Sequence, residues 1–204
     1  AGIVKPVKFS DWAAPIVVVP KPNGKIHMCG DFKVTVNPQL DIEQYPLPRV
    51  EDLLQKLRNG KRFSKIDLAD AYLQLEMDEE AKKVAVINTP FGLFQYQRLA
   101  FGIASAPAIF QALIERVISG IPGCANYLDD IIVTGATDEE HLSNLNKLFH
   151  RLTEHGLRCN LQKCSFFQKE VEYLGNQLSE YGVKPSETNL KAIKELKRPT
   201  NLAE

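Results

Sequence analysis

The sequence predicts an α+β fold, an antiparallel sheet carrying helices on one face. Two observations lead there. Short β-branched or aromatic runs come in pairs joined by Gly- or Pro-bearing turns. Segments with apolar residues at helical spacing separate those pairs. The resulting order, ββ-α-β-β-α-ββ-α-ββ-α, mixes hairpins with helices.

Taken in order, residues 12 to 36 read as strands. Ile16-Val17-Val18-Val19 is β-branched, Lys21-Pro22-Asn23-Gly24-Lys25 supplies a turn, and Ile26 to Phe32 returns. Asn-Gly is a strong hairpin signal. Pro38, Pro46 and Pro48 make residues 37 to 48 an irregular connector. Val50, Leu53, Leu54 and Leu57 share one helical face, and Asn59-Gly60 stops that helix. Phe63 to Leu68 reads as a short strand, and Val84 to Asn88 as another, turning at Thr89-Pro90-Phe91-Gly92. Ser105-Ala106-Pro107 opens a helix, with Ser105 as cap. Its face is Ile109, Phe110, Leu113, Ile114, Val117 and Ile118. Residues 125 to 133 are two apolar arms around Asp129-Asp130, a strand-turn-strand with carboxylates at its tip. Thr137-Asp138-Glu139-Glu140 is a capping box for a helix carrying Leu142, Leu145, Leu148, Phe149 and Leu152 and ending at Gly156. Strands around Ser165-Phe166-Phe167 and Val171 to Gly175 precede a last helix from Pro185-Ser186 through Leu196.

The chain has 204 residues, with 25 Lys+Arg against 25 Asp+Glu, and is 44% apolar. That composition excludes a disordered chain, and no apolar run suits a membrane span. Both ends read as cuts in a longer protein. Zero net charge excludes a uniformly basic nucleic-acid coat protein but not a local basic groove. Residues 1 to 33 hold five Lys and two Asp, whereas residues 103 to 150 hold two basic and six acidic groups. Lys56, Arg58, Lys61, Arg62 and Lys65 crowd one stretch with no acid among them. Cys29, Cys124, Cys159 and Cys164 form no C-x-x-C pair and read as free thiols.

Three acids stand where acids are costly. Asp67 ends a buried strand, and Asp129 and Asp130 sit between apolar arms. Neighbouring strand residues point to opposite faces, but a tight turn relaxes that rule, so both Asp side chains can approach one cation. Converging carboxylates repel and need a positive partner, for which Mg²⁺, a hard oxygen-binding ion, is suited. Asp-Asp is also a common turn pair, and Asp67 also suits a helix cap.

Tyr127-Leu128-Asp129-Asp130 resembles the Y-x-D-D box of reverse transcriptases, in the Leu form of gypsy-type long-terminal-repeat retrotransposons. Four further stretches resemble that family in the same order. They are Tyr45 to Asp52, the Y-P-L-P-R segment; Phe63 to Tyr72, the first catalytic motif; Leu99 to Gln111, the template- and nucleotide-contacting motif; and Tyr173-Leu174-Gly175, the primer-grip hairpin. The resemblance implies a right-hand polymerase: fingers at 1–40 and 73–106, palm at 41–72 and 107–180, and the start of a thumb at 181–204.

It also implies a site. Asp67, Asp129, Asp130 and the Leu68 carbonyl would hold two Mg²⁺ ions, with Mn²⁺ as a substitute. Lys163 would act as general acid near pyrophosphate. Lys25, His27, Asp70, Ala71, Tyr72, Phe101 and Gly102 would meet the deoxynucleoside triphosphate, with Tyr72 as the gate against a 2′-hydroxyl. Gln111, Tyr127, Leu128, Tyr173, Leu174 and Gly175 would meet the RNA or DNA template-primer. RNase H and integrase segments of the pol polyprotein are expected outside this chain. The expected location is the cytoplasm, within virus-like particles, or the nucleus, with no membrane partner.

Two residues depart from the family pattern. His27 stands where Arg is usual, and a neutral imidazole cannot supply Arg's bidentate grip. Ala100 replaces a usual Pro. They motivate an alternative, a catalytically weakened pol-derived module that binds nucleic acid or a partner. An RNA-dependent RNA polymerase palm fits less well, since such palms usually carry Gly before the Asp pair.

Overall fold

The computed structural model describes residues 2–20, 24, 26–41 and 45–195. The strands are β1 (Val4–Val7), β2 (Ala14–Pro20), β3 (Ile26–Gly30), β4 (Arg62–Asp67), β5 (Val86–Thr89), β6 (Gly92–Tyr96), β7 (Cys124–Tyr127), β8 (Asp130–Gly135), β9 (Ser165–Gln168), β10 (Glu170–Tyr173), β11 (Asn176–Ser179) and β12 (Gly182–Pro185). The helices are α1 (Val50–Lys56), α2 (Glu79–Val84), α3 (Ala106–Ile118), α4 (Asp138–Glu154) and α5 (Glu187–Glu195). Among the described residues three sheets form: β1-β6-β5-β2-β3, β7-β8-β4-β9 and β10-β11-β12. Every pairing among the described strands is antiparallel except β2 with β5. None of the described helices is long and apolar enough to cross a membrane.

The β7-β8-β4-β9 sheet is the centre of the fold, and strand alternation decides what covers each face. Ile66, Leu68, Ile131 and Val133 pack with Phe110, Ile114 and Val117 of α3 and Leu145, Leu148 and Leu152 of α4. Phe63, Ala125 and Ile132 point the other way, onto Leu53 and Leu57 around α1 and onto Val171, Tyr173 and Leu178 of the β10-β11-β12 sheet. Helices α3 and α4 therefore cover one face, as expected, and the opposite face is closed by α1 and a small sheet. A separate core joins Ala14, Phe32, Ile87, Tyr96 and Leu99 around the five-stranded sheet.

Several sequence expectations change in detail. Thr137 caps α4 by accepting from the Glu140 N–H, but Glu140 Oε2 reaches back to the N–H of Ala136 rather than to that of Thr137. Ser105 makes no side-chain cap bond, since its backbone is already helical at φ −82° and ψ −10°. On the faces read as apolar, Ile109 and Leu142 are exposed, while Gln111, His141 and Asn144 are buried. Asn144 Nδ2 donates to the Thr134 carbonyl at 3.0 Å, and His141 Nε2 lies 2.8 Å from Ser64 Oγ, while His141 Nδ1 is buried without a partner among the described residues. Helix α2, which the sequence does not predict, precedes β5, capped by Asp78 accepting from the Ala81 N–H at 2.7 Å. The last helix is described to Glu195; Leu196 lies outside the described residues.

The His141 ring packs against Phe167, 4.6 Å between centroids, in a fully buried position. Burial holds its imidazole below the ordinary value of 6.5. The unfolded chain then binds the proton more tightly, so His141's contribution is complete above pH 6.5 and is lost as the pH falls below it. The urea midpoint is expected to fall between pH 7 and pH 5, and His141→Gln is expected to flatten that slope. An unchanged slope in the variant contradicts the assignment.

Candidate active site

The site follows from one register. Strands β4 and β8 pair so that Asp67, the last residue of β4, lies directly opposite Asp130, the first residue of β8. Opposed residues of an antiparallel pair share a face, so both carboxylates project from the face that α1 and β10-β11-β12 cover, at the edge of that cover. The β7-β8 pairing sets Tyr127 opposite Asp130, which leaves Leu128 and Asp129 as the turn, with Asp129 exposed.

Two like charges face to face require compensation, and two lysines supply it. Lys65 Nζ lies 3.0 Å from Asp130 Oδ2, and Lys163 Nζ lies 3.4 Å from Asp67 Oδ2. Lys65 stands two residues before Asp67 on β4, hence on the same face. Period-two spacing from Asp67 is the sequence signal that points to Lys65. The donor set is hard oxygen and suits a divalent cation such as Mg²⁺. Among the described residues, no three His, Cys, Asp or Glu side chains converge into a group that closes around an ion. The Asp67-Asp130 pair is assembled, with Asp129 on the adjoining turn.

The loop after α4 grips the end of β4 through its backbone. Asn160 N–H donates to the Asp67 carbonyl at 2.9 Å, Ala69 N–H donates to the Arg158 carbonyl at 2.9 Å, and Leu68 bridges Cys159. The Asp67 N–H donates to Cys164 Sγ at 3.4 Å. Burial, helped by Cys164 and Asp67, pushes the Cys159 thiol up to about 11. Both cysteines are free thiols, as the sequence implied.

Gln111 differs from its expected place. Its side chain is fully buried beneath the Leu128-Asp129 turn. Gln111 Oε1 accepts from the Leu128 N–H at 2.7 Å, and Nε2 donates to the Asn126 carbonyl at 3.3 Å and to Glu115 Oε1 at 2.8 Å. With its amide spent inside, it has no face for a template; it positions the turn. Leu128 needs that support, because it holds a left-handed φ of 54°, which costs a non-glycine residue on the order of 1 kcal/mol. The resemblance implies a template contact for Gln111, whereas the packing of α3 against β7 turns it inward.

Tyr72, Phe101 and Phe110 cluster, with ring centroids 4.8 Å and 5.2 Å from Tyr72. Burial first and Asp129 second raise the Tyr72 phenol above its ordinary value, so the ring lies within electrostatic reach of the Asp129 carboxylate. Ala71 is buried and Asp70 is exposed in a left-handed conformation. Gly102, expected to admit a nucleotide, has φ 94°, and a Cβ there would meet the Gly30 carbonyl at 2.7 Å. Its close approach is to β3. Tyr173 is buried in the core, and its hydroxyl has no partner among the described residues. Burial and then Asp130 push that phenol well up. Leu174 and Gly175 form the β10-β11 turn, braced from the helix side by Asn189 Nδ2 donating to the Gly175 carbonyl at 3.0 Å. The His27 backbone pairs with Val19 in the β2-β3 ladder; its side chain and the whole of Lys25 lie outside the described residues.

Gln111→Leu is expected to lower stability by about 1–3 kcal/mol, because it strands the buried Leu128 N–H. Urea denaturation reads this directly. A loss below 0.5 kcal/mol, about the scale of an ordinary surface change, contradicts the positioning role.

Comparison with known proteins agrees with this geometry. The family described as reverse transcriptase (RNA-dependent DNA polymerase) matches residues 19–178. The chain is 46% identical over 202 residues to the uncharacterized protein K02A2.6 of Caenorhabditis elegans, covering 98% of this chain and 16% of that protein. It is 35% identical over 199 residues to the retrovirus-related Pol polyprotein from transposon 412 of Drosophila melanogaster, covering 94% and 16%. With the transposon Tf2-3 polyprotein of Schizosaccharomyces pombe it shares 31% identity, covering 100% and 15%. The chain thus spans about one sixth of the length of these relatives. Among solved structures, a foamy viral protease-reverse transcriptase in complex with double-stranded DNA superposes with a TM-score of 0.89 at 27% identity, over 99% of this chain and 35% of that one. The same kind of protein in complex with an RNA/DNA hybrid gives 0.85 at 26% identity, over 97% and 26%. The shared fold and the family match over most of its length establish that the chain belongs to the reverse transcriptase family, as a reverse transcriptase domain of the kind found in retrotransposon and retroviral pol polyproteins.

Proposed function

We propose that the chain is the polymerase core of a gypsy-type retrotransposon reverse transcriptase, adding deoxynucleotides to a primer 3′-hydroxyl on an RNA or DNA template. The observation that carries this reading is the register of Asp67 against Asp130 with Asp129 on the adjoining turn. In the proposed division, residues 1–40 and 73–106 are fingers, 41–72 and 107–180 are palm, and 181–204 begin the thumb. Transposon 412 and the Tf2 polyproteins support the retrotransposon origin, and the duplex-bound foamy viral structures support binding of a template-primer.

Asp67, Asp129, Asp130 and the Leu68 carbonyl would hold two divalent cations, Mg²⁺ or Mn²⁺. When bound, such ions lower the proton affinity of the primer hydroxyl and neutralise charge on the departing pyrophosphate. The protein's part is positioning and charge. Gln111 keeps the turn that carries Asp129 in place. The Lys163 ammonium would give a proton to the leaving pyrophosphate, a role that its position 3.4 Å from Asp67 Oδ2 supports. The Tyr72 ring, braced by Phe101 and Phe110, bars a sugar 2′-hydroxyl.

His27 favours the second reading, a nucleic-acid or partner-binding module with weakened chemistry, because it removes a guanidinium from the triphosphate side. Primer extension on an RNA template with Mg²⁺ and deoxynucleotides separates the two. The polymerase reading predicts extension that Asp129→Asn lowers by about a hundredfold or more. Duplex binding with no extension overturns it and leaves the binding module. For the gate, Tyr72→Ala is expected to raise ribonucleotide incorporation by about tenfold or more, since a lost steric clash acts directly on discrimination. Unchanged sugar selectivity rejects that role.

A further inference from the structure

Beyond the catalytic carboxylates, three residues past Asp67, a polar pocket of about 420 Å³ opens between the Asp70 turn and the loop after α4. Its charged lining is Asp70, Arg98 and Arg158. Gln74 ties these parts together. Its Nε2 donates to the Ala69 carbonyl at 2.7 Å and to the Arg158 carbonyl at 3.0 Å, and its Oε1 accepts from the Arg158 N–H at 2.7 Å. The Gln74 carbonyl in turn accepts from Arg98 Nη1 at 3.2 Å. One side chain and its own carbonyl thus anchor the backbone beneath one arginine and the guanidinium of the other.

That anchoring leaves donors unspent. A guanidinium has five N–H donors, and Arg98 spends one on Gln74. The exposed Arg158 guanidinium makes no hydrogen bond or ion pair among the described residues, and neither arginine is ion-paired to Asp70. One carboxylate offsets only one of two guanidinium charges, so the pocket carries net positive charge. Planar forks of this kind match tetrahedral oxyanions with paired hydrogen bonds. We propose that the Arg98-Arg158 pocket is a binding site for phosphate groups, held open by Gln74. The phosphate comes either from a small ligand such as pyrophosphate or from a nucleic-acid backbone.

The pocket shares Asp70 with the residues expected to meet the triphosphate, and to that extent the proposal rests on the polymerase reading. Its test runs without divalent cations, so its failure is distinguishable from failure of that reading. Inorganic pyrophosphate is titrated into the chain in EDTA at low ionic strength and followed by calorimetry. Saturable binding is expected. Arg158→Gln, which removes a side chain with no structural partner, is expected to weaken it about fivefold, and the Arg98→Gln/Arg158→Gln double variant about tenfold or more. Lys147→Gln, an exposed charge loss on α4, is expected to leave it unchanged. An RNA–DNA hybrid is then added to the pyrophosphate complex. Displacement in the wild type but not in Arg158→Gln assigns the site to backbone phosphate, and no displacement assigns it to the free ligand. No saturable binding, or binding that Arg158→Gln and the double variant leave intact, overturns the proposal.

Discussion

Everything at the site depends on the pairing of β4 with β8. Six consecutive residue pairs run from Arg62↔Gly135 to Asp67↔Asp130, and the last is two carboxylates face to face. A register slip of one residue would send one of them to the helix-covered face. The slip is resisted by the alternation just behind the pair. Ile66, Ile131 and Val133 must face α3 and α4, while Phe63 and Ile132 must face α1 and the small sheet. Burial on both faces therefore fixes the position of charges that by themselves repel.

Around that pair the structure spends polar groups on placement. Lys65 and Lys163 each meet one carboxylate. Gln111 reaches from α3 to hold the turn between β7 and β8, and its other donor bond passes to Glu115, which Tyr45 also meets through its hydroxyl. The connector before α1 is thereby linked to the turn through two side chains. On the far side, the Asn160 N–H and the Cys164 thiol fix the Asp67 backbone. The carboxylates thus sit at the junction of three buttresses, from α3, from the loop after α4 and from β4 itself.

The parts of this legible in sequence were those set by local rules. The α1 face, the β2-β3 hairpin, the Thr137 cap and the strand-turn-strand around Asp129 and Asp130 follow from period and turn chemistry, and so does the candidacy of Asp67. What escaped depends on tertiary context. β1 is a short edge strand containing Pro6, tolerable only because β6 pairs with it on one side. α2 is mostly polar, with no apolar stripe to reveal it, although Asp78 before Glu79-Glu80 was a cap signal. Gln111, His141 and Asn144 are polar residues outside the apolar sets that helical spacing predicts for α3 and α4. Each is buried because a backbone group or side chain of the sheet beneath offers it a bond, which no helical period encodes.

The opposed Asp67 and Asp130, now balanced by lysines, are the seat proposed above for a divalent cation. Electron paramagnetic resonance of Mn²⁺ titrated into the chain measures this without requiring turnover. The account predicts saturable binding that weakens by about tenfold or more in both Asp67→Asn and Asp130→Asn, since each removes a charged oxygen ligand. Equal Mn²⁺ affinity in the wild type and both variants would contradict it.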